Sequence, residues 1–166
     1  MLQESHTATP ETNTTAYTHF HTLPQEDILN IFLVEDVRSD ALLTRIALDS
    51  TDIPFLLTKV TRGDEALSRL CVNRVCRPAE LPDLILLDLE LPGMDGFEIL
   101  EELAKSAASL RSIPIVILTA HRQFEYIRSC YPLYVMSYIK KPCDRAQMRE
   151  ILQKVCRLKY GSYATY

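Results

Sequence analysis

The chain has no tryptophan, no Cys-x-x-Cys pair, no long apolar run and no excess of positive charge. The missing tryptophan excludes nothing. The other absences do. The five cysteines, Cys71, Cys76, Cys130, Cys143 and Cys156, are odd in number and scattered. That fits neither a disulfide framework nor a zinc site, so they read as free thiols. No stretch approaches the ~20 apolar residues that a membrane helix needs. Lys and Arg number 18 against 22 Asp and Glu, a net charge of -4. A dedicated nucleic-acid binder is usually basic, so that class is disfavoured. The N-terminus lacks the basic region, apolar run and small-residue cleavage site of a signal peptide. The expectation is a protein of the reducing cytoplasm, with neither membrane nor nucleic acid as partner.

What is present suits one globular domain. The 166 residues are 47% hydrophobic and 24% charged, enough to bury a core without disulfide staples. Residues 1–26 are Thr-rich with almost no aliphatic periodicity and read as a flexible arm. His19 and His21 on that arm read as solvated rather than as metal ligands. The domain is expected over 27–158, with a short tail over 159–166.

Within the domain, apolar runs alternate with helical patterns. Ile31-Phe32-Leu33-Val34, Phe55 to Val60, Leu84 to Leu87, Ile113 to Leu118 and Val135 to Ile139 read as strands. The all-apolar runs suit strands covered on both faces. Helices are expected over Arg38–Leu48, Gly63–Arg77, Phe97 to about Ala107, Arg122 to about Cys130, and from Asp144 onward. Leu42, Leu43, Ile46 and Ala47 form the apolar spacing of the first helix. Ser39 or Asp40 is its expected cap. Phe97, Leu100 and Leu103 form one face of the third. Met148, Ile151, Leu152 and Val155 form the stripe of the last. Asp95 and Asp144 read as helix caps, and Ser106 to Ser112 as a loop. Five strands alternating with five helices imply a doubly wound α/β fold around a parallel sheet.

Polar residues fall at the strand ends. Glu35 and Asp36 close the first strand, Asp88 the third, Thr119 the fourth, and Lys141 follows the fifth. In an open α/β sheet these ends converge on one crevice. Clustered carboxylates repel unless a cation lies among them, and a few carboxylates plus water suit Mg²⁺. A lysine and a hydroxyl beside them suit an anionic group such as a phosphoryl.

Four segments carry a resemblance. They are Ile31-Phe32-Leu33-Val34-Glu35-Asp36, Pro82 through Asp88 to Gly96, Ile115-Val116-Ile117-Leu118-Thr119-Ala120, and Tyr138-Ile139-Lys140-Lys141-Pro142. In this order and spacing, Ile28 to Arg157 resembles a receiver domain of the two-component response-regulator family. The resemblance implies a flavodoxin-like sheet of order 2-1-3-4-5. It makes Asp88 the phosphoacceptor, Thr119 the hydroxyl that bonds the phosphoryl group, and Lys141 its cationic partner. Lys140 is the competing lysine. The Mg²⁺ ligands would be Glu35 (through water), Asp36, Asp88 and the backbone carbonyl of Glu90. Tyr138 would be the aromatic switch, and Pro142 would follow a cis bond. The protein would be a single-domain signalling switch rather than an enzyme. It would take its phosphoryl group from a sensor histidine kinase or phosphotransfer protein, of the phytochrome or hybrid type. Output would pass to a downstream protein through the face of the fourth helix, fifth strand and fifth helix, with a homodimer through that face as a further expectation.

Tyr134-Val135 departs from the small Gly-Ala pair usual before the fifth strand. It keeps open an alternative, a pseudo-receiver that docks partners without phosphorylation. An aspartyl-phosphate hydrolase of the haloacid dehalogenase type would need Asp where Glu90 stands. A flavodoxin-type flavin site would need a phosphate loop where Glu35 and Asp36 would repel it.

Overall fold

A computed structural model describes residues 28–70, 81–120 and 135–161. The elements are β1 (Leu29–Val34), α1 (Arg38–Asp49), β2 (Phe55–Val60), α2 (Gly63–Arg69), β3 (Leu84–Asp88), α3 (Gly96–Lys105), α4 (Ala108–Arg111), β4 (Ile115–Thr119), β5 (Val135–Lys140) and α5 (Arg145–Tyr160). The five strands form one parallel sheet in the order β2-β1-β3-β4-β5. The strand order reverses between β1 and β3. Right-handed crossovers therefore place α1 on one face and α2 and α3 on the other. No described helix is long and apolar enough to cross a membrane.

Alternation along the central strands splits the core in two. Phe32, Val34, Ile85, Leu87, Ile115 and Ile117 pack under α2 and α3. Leu29, Ile31, Leu33, Leu84, Leu86, Val116 and Leu118 pack under α1 and α5. Each fully buried aliphatic side chain contributes roughly 1.5–3 kcal/mol, which is why the central stretches of these strands are apolar on both faces.

β5 breaks the alternation. Ile115 pairs with Val135 but Val116 pairs with Ser137, so Met136 is an extra residue. This bulge shifts the phase of the strand. Val135 and Tyr138, three apart, consequently lie on the α3 side, and Met136 and Ile139 on the α5 side.

Several expectations need correction. Of the expected α1 set Leu42, Leu43, Ile46 and Ala47, only Ala47 is buried; the three larger residues point outward, with Leu42 59% and Ile46 54% exposed. The buried face is Ala41, Thr44, Ala47 and Leu48. Both sets have helical spacing; the small side chains let α1 lie close to the sheet and to α5. Neither Ser39 nor Asp40 caps α1, because both sit inside its first turn. Val37 is the N-cap, and its N–H donates to Glu35 Oε1 (3.1 Å). On α3, Phe97 is exposed and Ile99 takes its place in the core. The expected loop Ser106 to Ser112 contains the helical turn α4, whose Leu110 is buried. α2 closes at Arg69 with Leu70 as C-cap. Its expected continuation, the helix at Arg122 to Cys130, and the Tyr134 half of the Tyr134-Val135 pair lie outside the described residues. α5 runs through Lys159 and Tyr160.

Asp144 caps α5 by accepting from the Gln147 N–H, as expected. Asp95 caps α3 in a capping box with Glu98. Gly96 follows at the first helical position. A Cβ there would stand 2.6 Å from both the Asp88 carbonyl oxygen and the Leu89 Cα. The start of α3 is thus pressed against the backbone that presents Asp88. Gly96→Ala should lower stability by about 2–3 kcal/mol through overpacking. Asp95→Ala should cost about 1 kcal/mol through loss of the cap alone. Urea unfolding of the two variants checks the order, and the reverse order would mean that the contact at Gly96 relaxes freely.

Candidate functional site

The site lies at the carboxyl ends of β1, β3 and β4, beside the switch in strand order. Glu35 leaves β1 and is 0% exposed. Burial was to be expected of Val34 but not of a carboxylate, and it has two specific reasons. Glu35 Oε1 accepts the N–H that begins α1, and Oε2 lies 2.5 Å from Lys141 Nζ. Asp36, next in the chain, is half-buried. Its Oδ1 atom is buried with no hydrogen-bond partner among the described residues. Asp88 ends β3 and is buried. One of its oxygens accepts the Glu90 N–H (3.1 Å) and the other receives Lys141 Nζ (2.5 Å).

Lys141 arrives from the end of β5. Its backbone N–H donates to the Thr119 carbonyl (2.9 Å), continuing the β4–β5 ladder one residue past the strands. The next peptide bond, to Pro142, is cis. The chain turns there, and the Lys141 side chain enters the acidic cluster. Lys140 is exposed at the end of β5, so of the two lysines only Lys141 joins the site. Thr119 is buried at the end of β4. Tyr138 is half-buried against the α3-side core, on the strand pair opposite Ile117. Glu90 is exposed, and its backbone faces Asp88.

Lys141 also lies 3.2 Å from Asp40 Oδ2. Asp40 was read as a helix cap, and no motif pointed to it. Its position four residues after Asp36, in the first turn of α1, was the only available signal. Three carboxylates therefore pair with one ammonium, and Asp36 lies beside two of them, so the cluster of four carries a formal excess of three negative charges. Burial works against the charge on Lys141, but its bonds to Asp88 and Glu35 outweigh this and hold its pKa well above the usual lysine range. Burial pushes the Glu35 carboxyl above its usual range; Lys141 opposes that shift and the Asp88 charge adds to it.

Glu35, Asp36 and Asp88 bring one ligand oxygen each within 4.8 Å of one another. Hard oxygen donors, surplus negative charge and a buried oxygen lacking a partner fit a small divalent cation. The residues present thus suit Mg²⁺.

Residues 31–153 match the family model described as the response regulator receiver domain. Response regulator Rcp1 of Synechocystis is 32% identical over 125 residues, covering 75% of this chain and 84% of Rcp1. A crystal structure of the Mn²⁺-bound form of response regulator Rcp1 aligns with a TM-score of 0.57 at 29% identity, over 82% of this chain and 97% of that one. The phosphorylated cyanobacterial phytochrome response regulator RcpA aligns with a TM-score of 0.58 at 34% identity, over 82% and 96%. The receiver domain of sensor histidine kinase PA1611 from Pseudomonas aeruginosa, solved with a magnesium ion in its active site cleft, aligns at 0.60 and 27% identity, over 77% and 97%.

The raised Glu35 pKa has a consequence with a definite sign. A carboxyl whose pKa rises on folding destabilises the native state while it is ionised. That cost is present above the folded pKa and disappears as acidification protonates the group toward its ordinary value of 4.5. Glu35→Gln should therefore stabilise the metal-free protein at neutral pH, with a gain that shrinks in mild acid. Urea unfolding of both proteins across that range is the check, and a variant less stable throughout would contradict it.

Proposed function

The chain belongs to the response regulator receiver-domain family, and from that premise we propose that Asp88 accepts a phosphoryl group from a histidine kinase or phosphotransfer protein, with Mg²⁺ in the acidic cluster. Receivers of this family are phosphorylation-activated signalling proteins, and homologues carry Mn²⁺ or Mg²⁺. The observation that most supports the finer reading is the position of Lys141, which reaches Glu35 and Asp88 at once.

Asp36, Asp88, Glu35 through water and the Glu90 carbonyl would hold the cation, and when bound it supplies neutralising charge to the phosphoryl oxygens. The chain's own groups do the rest. An oxygen of the Asp88 carboxylate attacks phosphorus and forms the acyl-phosphate bond. The bond from phosphorus to the donor nitrogen breaks, and its electron pair stays on the departing imidazole. Such a transfer needs in-line positioning and charge stabilisation more than covalent chemistry by the protein. The Glu90 N–H and Lys141 hold the carboxylate oriented. Lys141 and the Thr119 hydroxyl then serve the phosphoryl oxygens as charged and neutral donors.

The exposed row Leu42, Leu43 and Ile46 flanks this site, since Leu43 lines a 280 Å³ cavity together with Lys141 and Asp40. It offers apolar surface to the donor domain next to the nucleophile. Output follows from a shift between two packings as Thr119 and Tyr138 respond to the new group. The responding face is that of β5 and α5 with the expected fourth helix, which lies outside the described residues, read by a downstream protein or a second copy of the chain.

Intact-mass measurement after incubation with acetyl phosphate and Mg²⁺ should show one phosphoryl adduct. EDTA should abolish it, and so should Asp88→Asn. Absence of the adduct, together with no binding of beryllofluoride, would favour a docking module that works without phosphorylation.

A further inference from the structure

Asp40 is the one carboxylate on Lys141 that lies outside the trio suited to a cation. Glu35, Asp36 and Asp88 form that trio, yet Lys141 Nζ already lies 2.5 Å from oxygens of Glu35 and Asp88. An ammonium and a divalent cation must therefore compete for the same carboxylates, and two cations that close repel each other. The third ion pair differs from the other two. Asp40 belongs to the first turn of α1, is a third exposed, and sits at 3.2 Å. The ammonium thus leans toward Glu35 and Asp88. The 280 Å³ cavity beside it is lined by Asp40, Leu43, Thr44, Lys141, Pro142 and Cys143, and by neither Glu35 nor Asp88. Free space lies along the Asp40 side of the lysine.

We propose that Asp40 is a positioning residue that receives the Lys141 ammonium when a divalent cation enters the Glu35–Asp36–Asp88 trio, so that both cations occupy the site together. The inference rests on the reading of the trio as a Mg²⁺ site and adds a residue to it. Without Asp40, the lysine either stays and opposes the metal or leaves for solvent. With it, the lysine gives up part of its hold on Asp88 while staying within reach of an incoming phosphoryl group.

A double-mutant cycle on Mg²⁺ affinity, measured by calorimetry on the full chain, separates this role from a general effect of charge. Asp40→Asn should weaken Mg²⁺ binding by roughly fivefold, the scale of one partly exposed ion pair. Lys141→Gln should tighten it by removing the competitor. In the Lys141→Gln background, Asp40→Asn should change the affinity by less than about twofold if additivity fails as the hand-over requires. Asp40→Glu should restore most of the wild-type value. Equal losses in both backgrounds would show Asp40 acting directly on the metal and would overturn the proposal. So would an Asp40→Asn protein that binds as wild type. Should Lys141→Gln not fold, Lys141→Met serves as the background without the ammonium, and the same comparison decides. Failure of the wild-type chain to bind Mg²⁺ would overturn both this inference and the metal reading, whereas unaltered binding by Asp40→Asn overturns this inference alone.

Discussion

One ammonium group ties the acidic end of this sheet together. Lys141 reaches Glu35 at the end of β1, Asp40 in α1 and Asp88 at the end of β3, while its own backbone extends the β4–β5 ladder through Thr119. Segments far apart in sequence thus meet at one atom. Exposed pairs such as Arg45–Asp49 and Lys154–Glu150 are worth at most about 1 kcal/mol. Removing the partner of a buried charge costs about 3–5 kcal/mol, so Lys141 outweighs any of them. It still neutralises only one of four carboxylates. The site keeps an electrostatic deficit that burial deepens at Glu35, and the deficit has the sign that attracts a cation.

β5, which leads to Lys141, is out of phase with its neighbour. A regular strand starting with Val135 on the α3 side would turn Tyr138 toward α5. The extra residue at Met136 reverses the phase, puts Tyr138 on the α3 side beside Ile117, and keeps Ile139 under α5. Val135, which stands where a small residue is usual, is buried just before that bulge. Its bulk is therefore absorbed in the core and not at the surface.

The acidic residues could be read from the chain because each is a local anomaly with a topological meaning, whereas the strand order followed only from the resemblance of four segments to a known family. A carboxylate closing an all-apolar run is costly unless the run ends in a functional crevice, and Glu35-Asp36 and Asp88 both do this. Tertiary choices were not legible in the same way. Leu42 and Ile46 have helical spacing, and so do Ala41, Thr44 and Leu48. Spacing defines a face but not its direction, and here the small residues were drawn inward by close packing. Asp40 resembled a cap because a first-turn acid has an adequate local explanation, and only the Lys141 contact reveals another. The bulge in β5 exists only relative to β4, so no pattern within one strand could announce it.

The burial of Asp88 limits what can react with it. A carboxylate at 3% exposure is reached only by a group that projects into the strand ends; the donors of the proposed reaction, an imidazole carried on a docked domain or a small acyl phosphate, would have to do so. A phosphoryl group there would add about 1.5–2 negative charges where negative charge is already in excess. Among the described residues, the cation in contact with Asp88 is Lys141, and its bonds are already shared with Glu35 and Asp40. The added charge must then be met by redistributing those bonds. Because the Lys141 backbone is bonded to Thr119, and Tyr138 lies opposite Ile117 two residues earlier, that redistribution would fall first on the β4–β5 pair. On the proposed reading, a change in charge at one strand end would thereby become a change in packing on the face where Tyr138 lies.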